Sequence, residues 1–139
     1  MANKSKEISE EYRVTTTPMV SFKDASAAIE FYKMAFGAFE ITRLVDDSNG
    51  KVTHAKIRIG DAPVMLSDEF PEIDVLSPET IGGSPVMILL LVPNVDEFFN
   101  HAIAAGAKLV RPIEGDDFRN GKLDDPFGHR WMIMTRKAR

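Results

Sequence analysis

The stretch that decides the fold is residues 20–38, VSFKDASAAIEFYKMAFGA, because its pattern occurs a second time in the chain. Residues 91–107, LVPNVDEFFNHAIAAGA, repeat the order of an apolar end, a polar capping residue, an amphipathic run and a Gly-Ala pair. Further along, GDAPVML at residues 60–66 corresponds to GHRWMIM at residues 128–134. Both pairs are offset by about half of the chain, and a repeat of this size predicts two copies of one supersecondary unit.

Each copy predicts a helix between strands. Apolar residues recur at helical spacing over residues 25–36, where Asp24 can cap the first turn and Gly37 suits the left-handed residue that ends a helix. In the second copy, Asn94 and Gly106 enclose a similar run over residues 95–105. The predicted strands are residues 14–22, 39–46, 51–59 and 63–67 in the first unit and 85–92, 108–111, 118–123 and 130–135 in the second.

Turn signals divide the chain into one structural domain with two modules. Ser48-Asn49-Gly50 predicts a hairpin in the first module, and the Pro and Gly spacing of residues 125–128 predicts a type I turn in the second. Residues 69–84 lack periodicity and contain several Pro and Gly residues, as is typical of a linker. The predicted parts are a flexible N-terminus (1–12), a βαβββ module (13–68), the linker (69–84), a second βαβββ module (85–136) and a tail (137–139).

Composition excludes several functional classes. The 139 residues carry 17 Lys and Arg against 21 Asp and Glu, so nucleic acid and anionic membranes are not expected partners. The absence of Cys removes disulfides, thiolate metal sites and thiol nucleophiles, and favours a cytoplasmic location. The longest apolar run, residues 86–92, is far shorter than the ~18–20 residues that span a bilayer. Residues 1–11 lack the apolar segment of a signal peptide.

Two motifs within this repeat carry a family resemblance. The FKDA…IEFY…FGA pattern of residues 22–38 and the DPFGHRW sequence of residues 125–131 resemble the vicinal-oxygen-chelate superfamily. This superfamily includes glyoxalase I, bleomycin-resistance proteins and extradiol dioxygenases, and the chain is most similar to its PhnB-like, glyoxalase-related branch. The resemblance spans residues 14–136. It implies an α+β fold with a curled eight-stranded mixed sheet around a cavity and helices on the convex side.

The resemblance also implies where a divalent metal would lie, since enzymes of the superfamily hold it with His or Glu side chains from the first and fourth strand of each module. Those positions fall on Thr17, Met65, Met87 and Met132. A thioether is a soft ligand suited to Cu(I), and a Thr hydroxyl is a poor ligand for Zn, Ni, Mn or Fe. A shift of one residue brings in only Thr16, Pro18, Val64, Leu66, Val86, Ile88, Trp131 and Ile133. No metal and no other cofactor is therefore expected.

Few other residues suggest chemistry. Alternation along residues 51–59 puts Val52, His54, Lys56 and Arg58 on one face, so that His54 and Arg58 either face the cavity, where they could bind an anionic or carbonyl group, or lie on a solvated surface or a subunit interface. His101 is expected on the surface and His129 in a turn or strand entry. The paired acids at residues 46–47, 116–117 and 124–125 adjoin turn residues, where Asp caps or solvates.

The residues that do converge are apolar. Five of the seven Met residues, together with Thr17 and Leu89, are predicted to point to the concave face; these are Met19, Met65, Met87, Met132 and Met134. Met fills irregular cores, but it is also frequent on binding surfaces that must adapt to a ligand.

Two functions remain open. The first is a binder that holds a small hydrophobic or aromatic molecule without a metal, as bleomycin-resistance proteins do, and the resemblance then implies a homodimer that completes the cavity. The second is an enzyme, either a metal-dependent lyase or dioxygenase of the superfamily or one that works through His54 and Arg58. We favour the binder, because the metal-ligand positions carry no His or carboxylate.

Overall fold

The computed structural model describes residues 14–136, so the predicted flexible N-terminus (1–12) and the tail (137–139) lie outside the described residues. In chain order the elements are β1 (Met19–Phe22), α1 (Ala25–Phe36), β2 (Phe39–Val45), β3 (Val52–Ile59), β4 (Ala62–Asp68), a 3-10 turn (Pro71–Ile73), α2 (Pro78–Ile81), β5 (Met87–Val92), α3 (Val95–Ala104), β6 (Lys108–Glu114), β7 (Asn120–Asp124) and β8 (Arg130–Thr135). Within these described residues, no helix is long and apolar enough to cross a membrane.

The eight strands form two four-stranded sheets of the same topology. Their strand orders are β1-β4-β3-β2 and β5-β8-β7-β6. The pairs β1–β4 and β5–β8 are parallel, and the other neighbouring strands are antiparallel. The α+β class and the two βαβββ modules are therefore confirmed. The predicted single curled sheet is instead two sheets, and the break lies between β1 and β5, each of which is an edge strand of its own sheet.

Helix α1 begins and ends where its capping residues predict, and α3 begins where its N-cap predicts. Asp24 accepts a hydrogen bond from the backbone N–H of Ala27, and Gly37 ends α1 in the left-handed conformation with φ 68°. Asn94 caps α3 by accepting from the N–H of Glu97. The bounds of α1 are those predicted, and α3 is one residue shorter than predicted because Ala105 already serves as its C-cap.

One hydrophobic core joins the two modules. Tyr32 and Phe36 of α1 stack with ring centroids 5.6 Å apart, and Phe36 contacts Trp131 of β8 edge to face at 4.8 Å. Phe36 also stacks on Phe98 of α3 at 5.6 Å. All of these large side chains except Phe98 are fully or almost fully buried. Aromatic contacts between α1 and the second module therefore hold the modules together.

Each sheet packs one face against its helix and leaves the opposite face open. On β4, Val64 and Leu66 are buried while Met65 is half-buried on the other side. On β5, Met87, Leu89 and Leu91 alternate on the exposed side with residues that pack against the core. We call the face of each sheet that is turned away from its helix the open face.

Several strand boundaries differ from the prediction for local reasons. The first strand begins at Met19 and not at residue 14, because Pro18 has no N–H to donate and only its carbonyl joins the sheet, by accepting from Met65. The sixth strand continues past Arg111 to Glu114 despite Pro112, because β6 is an edge strand where a missing N–H is tolerated. The seventh strand begins at Asn120 and not at residue 118.

The predicted faces of β3 are wrong at its first two residues. Val52 is 1% exposed and belongs to the core, whereas Thr53 is exposed. The register between β2 and β3 shifts between Leu44 and Val45, opposite this point, so simple alternation fails there. From His54 onward the alternation holds, with His54, Lys56 and Arg58 on the open face.

The predicted linker contains structure that periodicity could not detect. Pro71–Ile73 forms the 3-10 turn, and Pro78–Ile81 forms α2 with Ser77 as its N-cap and Gly82 as its C-cap. Ser77 is completely buried, and its backbone N–H donates to Glu69 at 2.9 Å. A single helical turn is too short for an apolar period to appear in the sequence.

Candidate functional site

A cavity lies where the edge strands β1 and β5 approach each other. Its volume is about 640 Å³, which falls in the range of small-molecule sites. The lining comes from three segments and one residue of the β7–β8 turn, namely Thr16, Thr17, Pro18, Met19, Val20, Ser21, Leu76, Pro78, Ile81, Gly83, Ser84, Pro85, Val86, Met87, Ile88, Leu89 and His129. The cavity is therefore built from both modules and closed on one side by the linker.

The lining is mainly apolar with a few polar groups. Hydroxyls come from Thr16, Thr17, Ser21 and Ser84, and among the described residues that line the cavity only His129 is ionisable. No carboxylate, Lys or Arg from the described part of the chain belongs to the lining. Such a surface suits an uncharged or aromatic body whose orientation is set by a small number of hydrogen bonds.

His129 is fixed in place by backbone groups on both sides. The preceding turn closes when Gly128, with φ 98°, donates its N–H to the carbonyl of Asp125. The imidazole is 9% exposed, and its Nε2 lies 2.9 Å from the carbonyl oxygen of Ser21 on β1. Because a carbonyl oxygen only accepts, Nε2 carries the proton in this contact. The ring also meets Phe22 edge to face at 4.9 Å. His129 thereby connects the β7–β8 turn to β1.

Behind His129, a buried carboxylate ties the turn to the core. Asp125 is 1% exposed and accepts from the hydroxyl of Tyr32 and, at 3.0 Å, from the indole N–H of Trp131. Its other oxygen accepts from the backbone N–H groups of Phe127 and His129, each at 3.0 Å. Burial, and then the charge of Asp125, raises the pKa of Tyr32 well above its usual value. The hydroxyl therefore remains a donor across the physiological range.

The structure divides the predicted cavity residues into three groups. Thr17, Met19, Met87 and Leu89 line the cavity. Met65, Met132 and Met134 lie on the open faces of the neighbouring strands β4 and β8, outside the lining.

His54 and Arg58 form the third group, on β3, which is separated from β1 by β4. Neither lines the cavity, and the guanidinium of Arg58 stacks over the ring of Phe39 at 5.0 Å. His101 is exposed, as predicted, and its Nε2 lies 2.8 Å from the carbonyl oxygen of Met34.

Sequence reasoning missed the contribution of the linker and the position of His129. Leu76, Pro78 and Ile81 close the cavity from the predicted linker, where no periodic pattern marks them. For His129, the turn was predicted but its packing against β1 was not. The contact joins residues 108 positions apart in sequence, and no local signal in the sequence indicates it.

The donor set at the implied metal positions does not fit a divalent metal. Thr17, Met65, Met87 and Met132 supply one hydroxyl and three thioethers, which are poor ligands for Zn, Mn, Ni or Fe. A shift of one residue does not help, because Val64, Leu66, Trp131 and Ile133 are buried on the helix side of their sheets. Across residues 14–136, no group of three or more His, Asp or Glu side chains is arranged to hold a metal.

Comparison with known proteins agrees with this architecture. Relatives include the protein Rv0887c of Mycobacterium tuberculosis, 41% identical over 124 residues that cover 84% of this chain and 71% of the relative. Among solved structures, the PhnB protein of Bacillus cereus has a TM-score of 0.68 at 19% identity, with coverage of 88% of this chain and 100% of the other.

A second solved structure contains a metal. The fosfomycin resistance protein FosX of Listeria monocytogenes, solved with Mn(II) and 1S,2S-dihydroxypropylphosphonic acid, has a TM-score of 0.70 at 16% identity. The matched parts are 90% of this chain and 94% of FosX. At this identity the likeness concerns the fold alone. The model of the Glyoxalase/Bleomycin resistance protein/Dioxygenase superfamily matches residues 16–133, nearly the whole of the described chain. The chain therefore belongs to this superfamily.

Proposed function

We propose that this protein binds a small hydrophobic or aromatic molecule in the cavity between β1 and β5, and that binding needs no metal. The observation that carries the proposal is the lining itself, about 640 Å³ of mainly apolar wall with hydroxyls and a single imidazole as its polar groups. Met19 and Met87 stand on the two edge strands that approach each other across this cavity. Their flexible thioethers adapt to the shape of an aromatic body.

The donor chemistry supports binding without a metal. A metal-dependent lyase or dioxygenase needs open coordination positions on a metal held by imidazoles or carboxylates. The positions that the family uses for this purpose carry Thr and Met here, and the cavity lining contributes one imidazole. A bound molecule would therefore meet apolar walls, the hydroxyls of Thr16, Thr17, Ser21 and Ser84, and His129.

A charge placed in the cavity should remove this affinity. Met87→Asp is expected to weaken binding of the uncharged aromatic probe N-phenyl-1-naphthylamine by about tenfold or more, because the carboxylate must be desolvated against the apolar wall. Leu91→Asp is the matched control. Leu91 lies on the same strand and the same open face and is similarly exposed, at 46% against 42%, but it is outside the cavity. Probe fluorescence gives the affinity and thermal unfolding verifies the fold.

Two results would overturn the proposal. If Met87→Asp binds the probe as tightly as the Leu91→Asp control, the cavity is not the binding site. If protein purified without a metal-affinity step contains near-stoichiometric Zn, Mn, Fe or Ni, and a chelator abolishes probe binding, then binding depends on a metal. Equal probe affinity before and after chelation is the result that we expect.

We also propose that the protein is a homodimer, as the family resemblance implies. Support comes from large apolar side chains that are 55–58% exposed on the strands, namely Phe39 and Leu44 of β2 and Leu109 of β6. Exposed apolar area of this kind is typical of a protein interface. Light scattering is expected to give twice the chain mass of 15.5 kDa. A monomer mass that does not change with concentration would contradict the dimer.

A further inference from the structure

We propose that the ligand carries an acidic group on its apolar body, and that Lys56 and Lys122 receive this group. The inference rests on the proposed function, because it names the chemical class of the molecule in the same cavity. It is carried by a juxtaposition that occurs in both modules. In each module, a lysine on the third strand in chain order (β3 or β7) faces the same side as a methionine on the fourth (β4 or β8). An apolar cavity residue on the first strand (β1 or β5) faces this side too.

The strand register defines these two rows. In the first sheet, Met19 on β1 pairs with Met65 on β4, and Met65 pairs with Lys56 on β3. In the second sheet, Leu89 on β5 pairs with Met132 on β8, and Met132 pairs with Lys122 on β7. Met19 and Leu89 line the cavity, and all six side chains lie on the open faces of their sheets. The two rows therefore run outward from opposite walls of the cavity, and each reaches a lysine.

Each lysine side chain is long enough to bring its ammonium group to the margin of the cavity. Adjacent strands lie about 4.8 Å apart, so each lysine backbone is roughly 10 Å from the strand that lines the cavity. A lysine side chain extends about 6 Å, and its methylene stem can lie along an apolar neighbour while the ammonium stays in water. Stretched over Met65 or Met132, the ammonium arrives at the margin of the cavity. A ligand with its apolar body inside would meet the charge at its outer end.

Lys56 is not paired with a carboxylate in the described part of the chain. Within residues 14–136, Lys56 forms no ion pair, and its neighbours on the open face of the first sheet include Thr42 and Met65. The one acidic residue of β2, Glu40, is turned towards α1. It pairs with Arg43 at 2.9 Å and with Lys33 at 2.8 Å, and these partners lower the pKa of Glu40 to about 2.

Lys122 of the second sheet likewise forms no ion pair with the described residues. The neighbouring charges on its open face are occupied with one another, since Arg130 pairs with Asp124 at 2.8 Å and Arg111 pairs with Glu114 at 3.3 Å. Lys122 has no such partner in the described part of the chain. Beside the apolar cavity there are thus two ammonium groups without an ion-pair partner among residues 14–136, in a chain of net charge −4. They favour an amphipathic anion, such as an aromatic carboxylate or sulfonate.

Two fluorescent probes that differ only in charge test the inference. 8-Anilinonaphthalene-1-sulfonate carries a sulfonate on the skeleton of the neutral N-phenyl-1-naphthylamine. We expect Lys56→Met and Lys122→Met each to weaken binding of the sulfonate probe by about fivefold, the factor that corresponds to attraction between partly exposed unit charges. Binding of the neutral probe should change by less than twofold. Lys23→Met is the matched control, because Lys23 is an exposed lysine outside the cavity and both rows.

The outcomes separate this inference from the proposed function. One outcome is that the neutral probe binds the wild-type protein and binds Met87→Asp more weakly, while both lysine variants bind the sulfonate probe as Lys23→Met does. The inference is then wrong and the proposed function stands. If the lysine variants weaken both probes equally, the lysines act through the fold and the inference is also wrong. If the neutral probe does not bind the wild-type protein, the proposed function fails and the inference fails with it.

Discussion

Replacement of Asp125 with alanine is expected to lower the free energy of unfolding by about 4 kcal/mol. The carboxylate is buried and accepts from four donors, namely the Tyr32 hydroxyl, the Trp131 indole and the backbone N–H groups of Phe127 and His129. Alanine leaves these donors without an acceptor in a region from which water is largely excluded. Each buried donor without a partner costs about 1–3 kcal/mol, and some relaxation reduces the sum.

The neighbouring acid gives a matched control. Asp124 pairs with Arg130 at 2.8 Å near the surface, and its side chain is 27% exposed. Asp124→Ala is therefore expected to cost at most about 1 kcal/mol. Asp125→Asn should fall between the two, at about 2 kcal/mol. Its amide oxygen can still accept from the backbone, but its NH₂ group meets the indole N–H of Trp131, donor against donor.

Urea unfolding followed by tryptophan fluorescence measures these differences. Trp131 is the only tryptophan of the chain and donates to Asp125, so its emission reports on this region directly. If Asp125→Ala and Asp124→Ala unfold within about 1 kcal/mol of each other, the buried network does not stabilise the junction between the modules. A double-mutant cycle of Asp125→Ala and Tyr32→Phe then measures the interaction energy between Asp125 and the Tyr32 hydroxyl of α1.

The same residue illustrates what sequence reasoning could and could not reach. The local pattern of residues 125–128 predicts the turn, and Asp125 does accept from the N–H groups within it. The partner on α1 is 93 residues away in sequence, so no local signal identifies it. Local capping chemistry similarly predicted the bounds of α1, because Asp24 and Gly37 act within one turn of the helix ends.

The candidate site depends more strongly on contacts between distant residues. Alternation predicted the open-face positions of Met65 and Met132 from strands alone, and the structure places both on those faces. Alternation cannot tell which open-face residues border the same cavity, because that depends on how the two sheets meet. The inclusion of Ile81 and His129 in the lining and the exclusion of Arg58 follow from that arrangement.

The two modules differ in the residues that place negative charge at the N-terminus of their helix. In α3, Asp96 and Glu97 place negative charge in the first turn, where the N-terminal N–H groups favour it. The first turn of α1 has no acidic residue. Besides the N-cap Asp24, a second carboxylate is placed there by Asp68 at the end of β4, which is 8% exposed and accepts from the N–H of Ala25 at 2.7 Å. A repeat in the sequence therefore need not preserve the interactions that stabilise each copy.

Asp68→Ala is accordingly expected to lower the free energy of unfolding by about 3 kcal/mol. The second carboxylate oxygen of Asp68 accepts from the N–H of Val52, also at 2.7 Å, so one side chain serves the start of α1 and the start of β3. Alanine leaves both donors without this acceptor and removes one of the two favourable charges at the helix terminus. Asp24→Ala is the comparison, because it removes an exposed cap of the same helix at about 1 kcal/mol.

Asparagine distinguishes this account from a simple loss of packing. Its amide has nearly the shape of the carboxylate but only one acceptor oxygen, so its NH₂ group must face one of the two N–H donors. Asp68→Asn is therefore expected to destabilise the protein nearly as much as Asp68→Ala. Hydrogen exchange should show faster exchange at the amides of Ala25 and Val52 in both variants, while Asp24→Ala affects Ala27 instead. Wild-type stability in Asp68→Asn would mean that shape, and not the paired acceptors, is what this position requires.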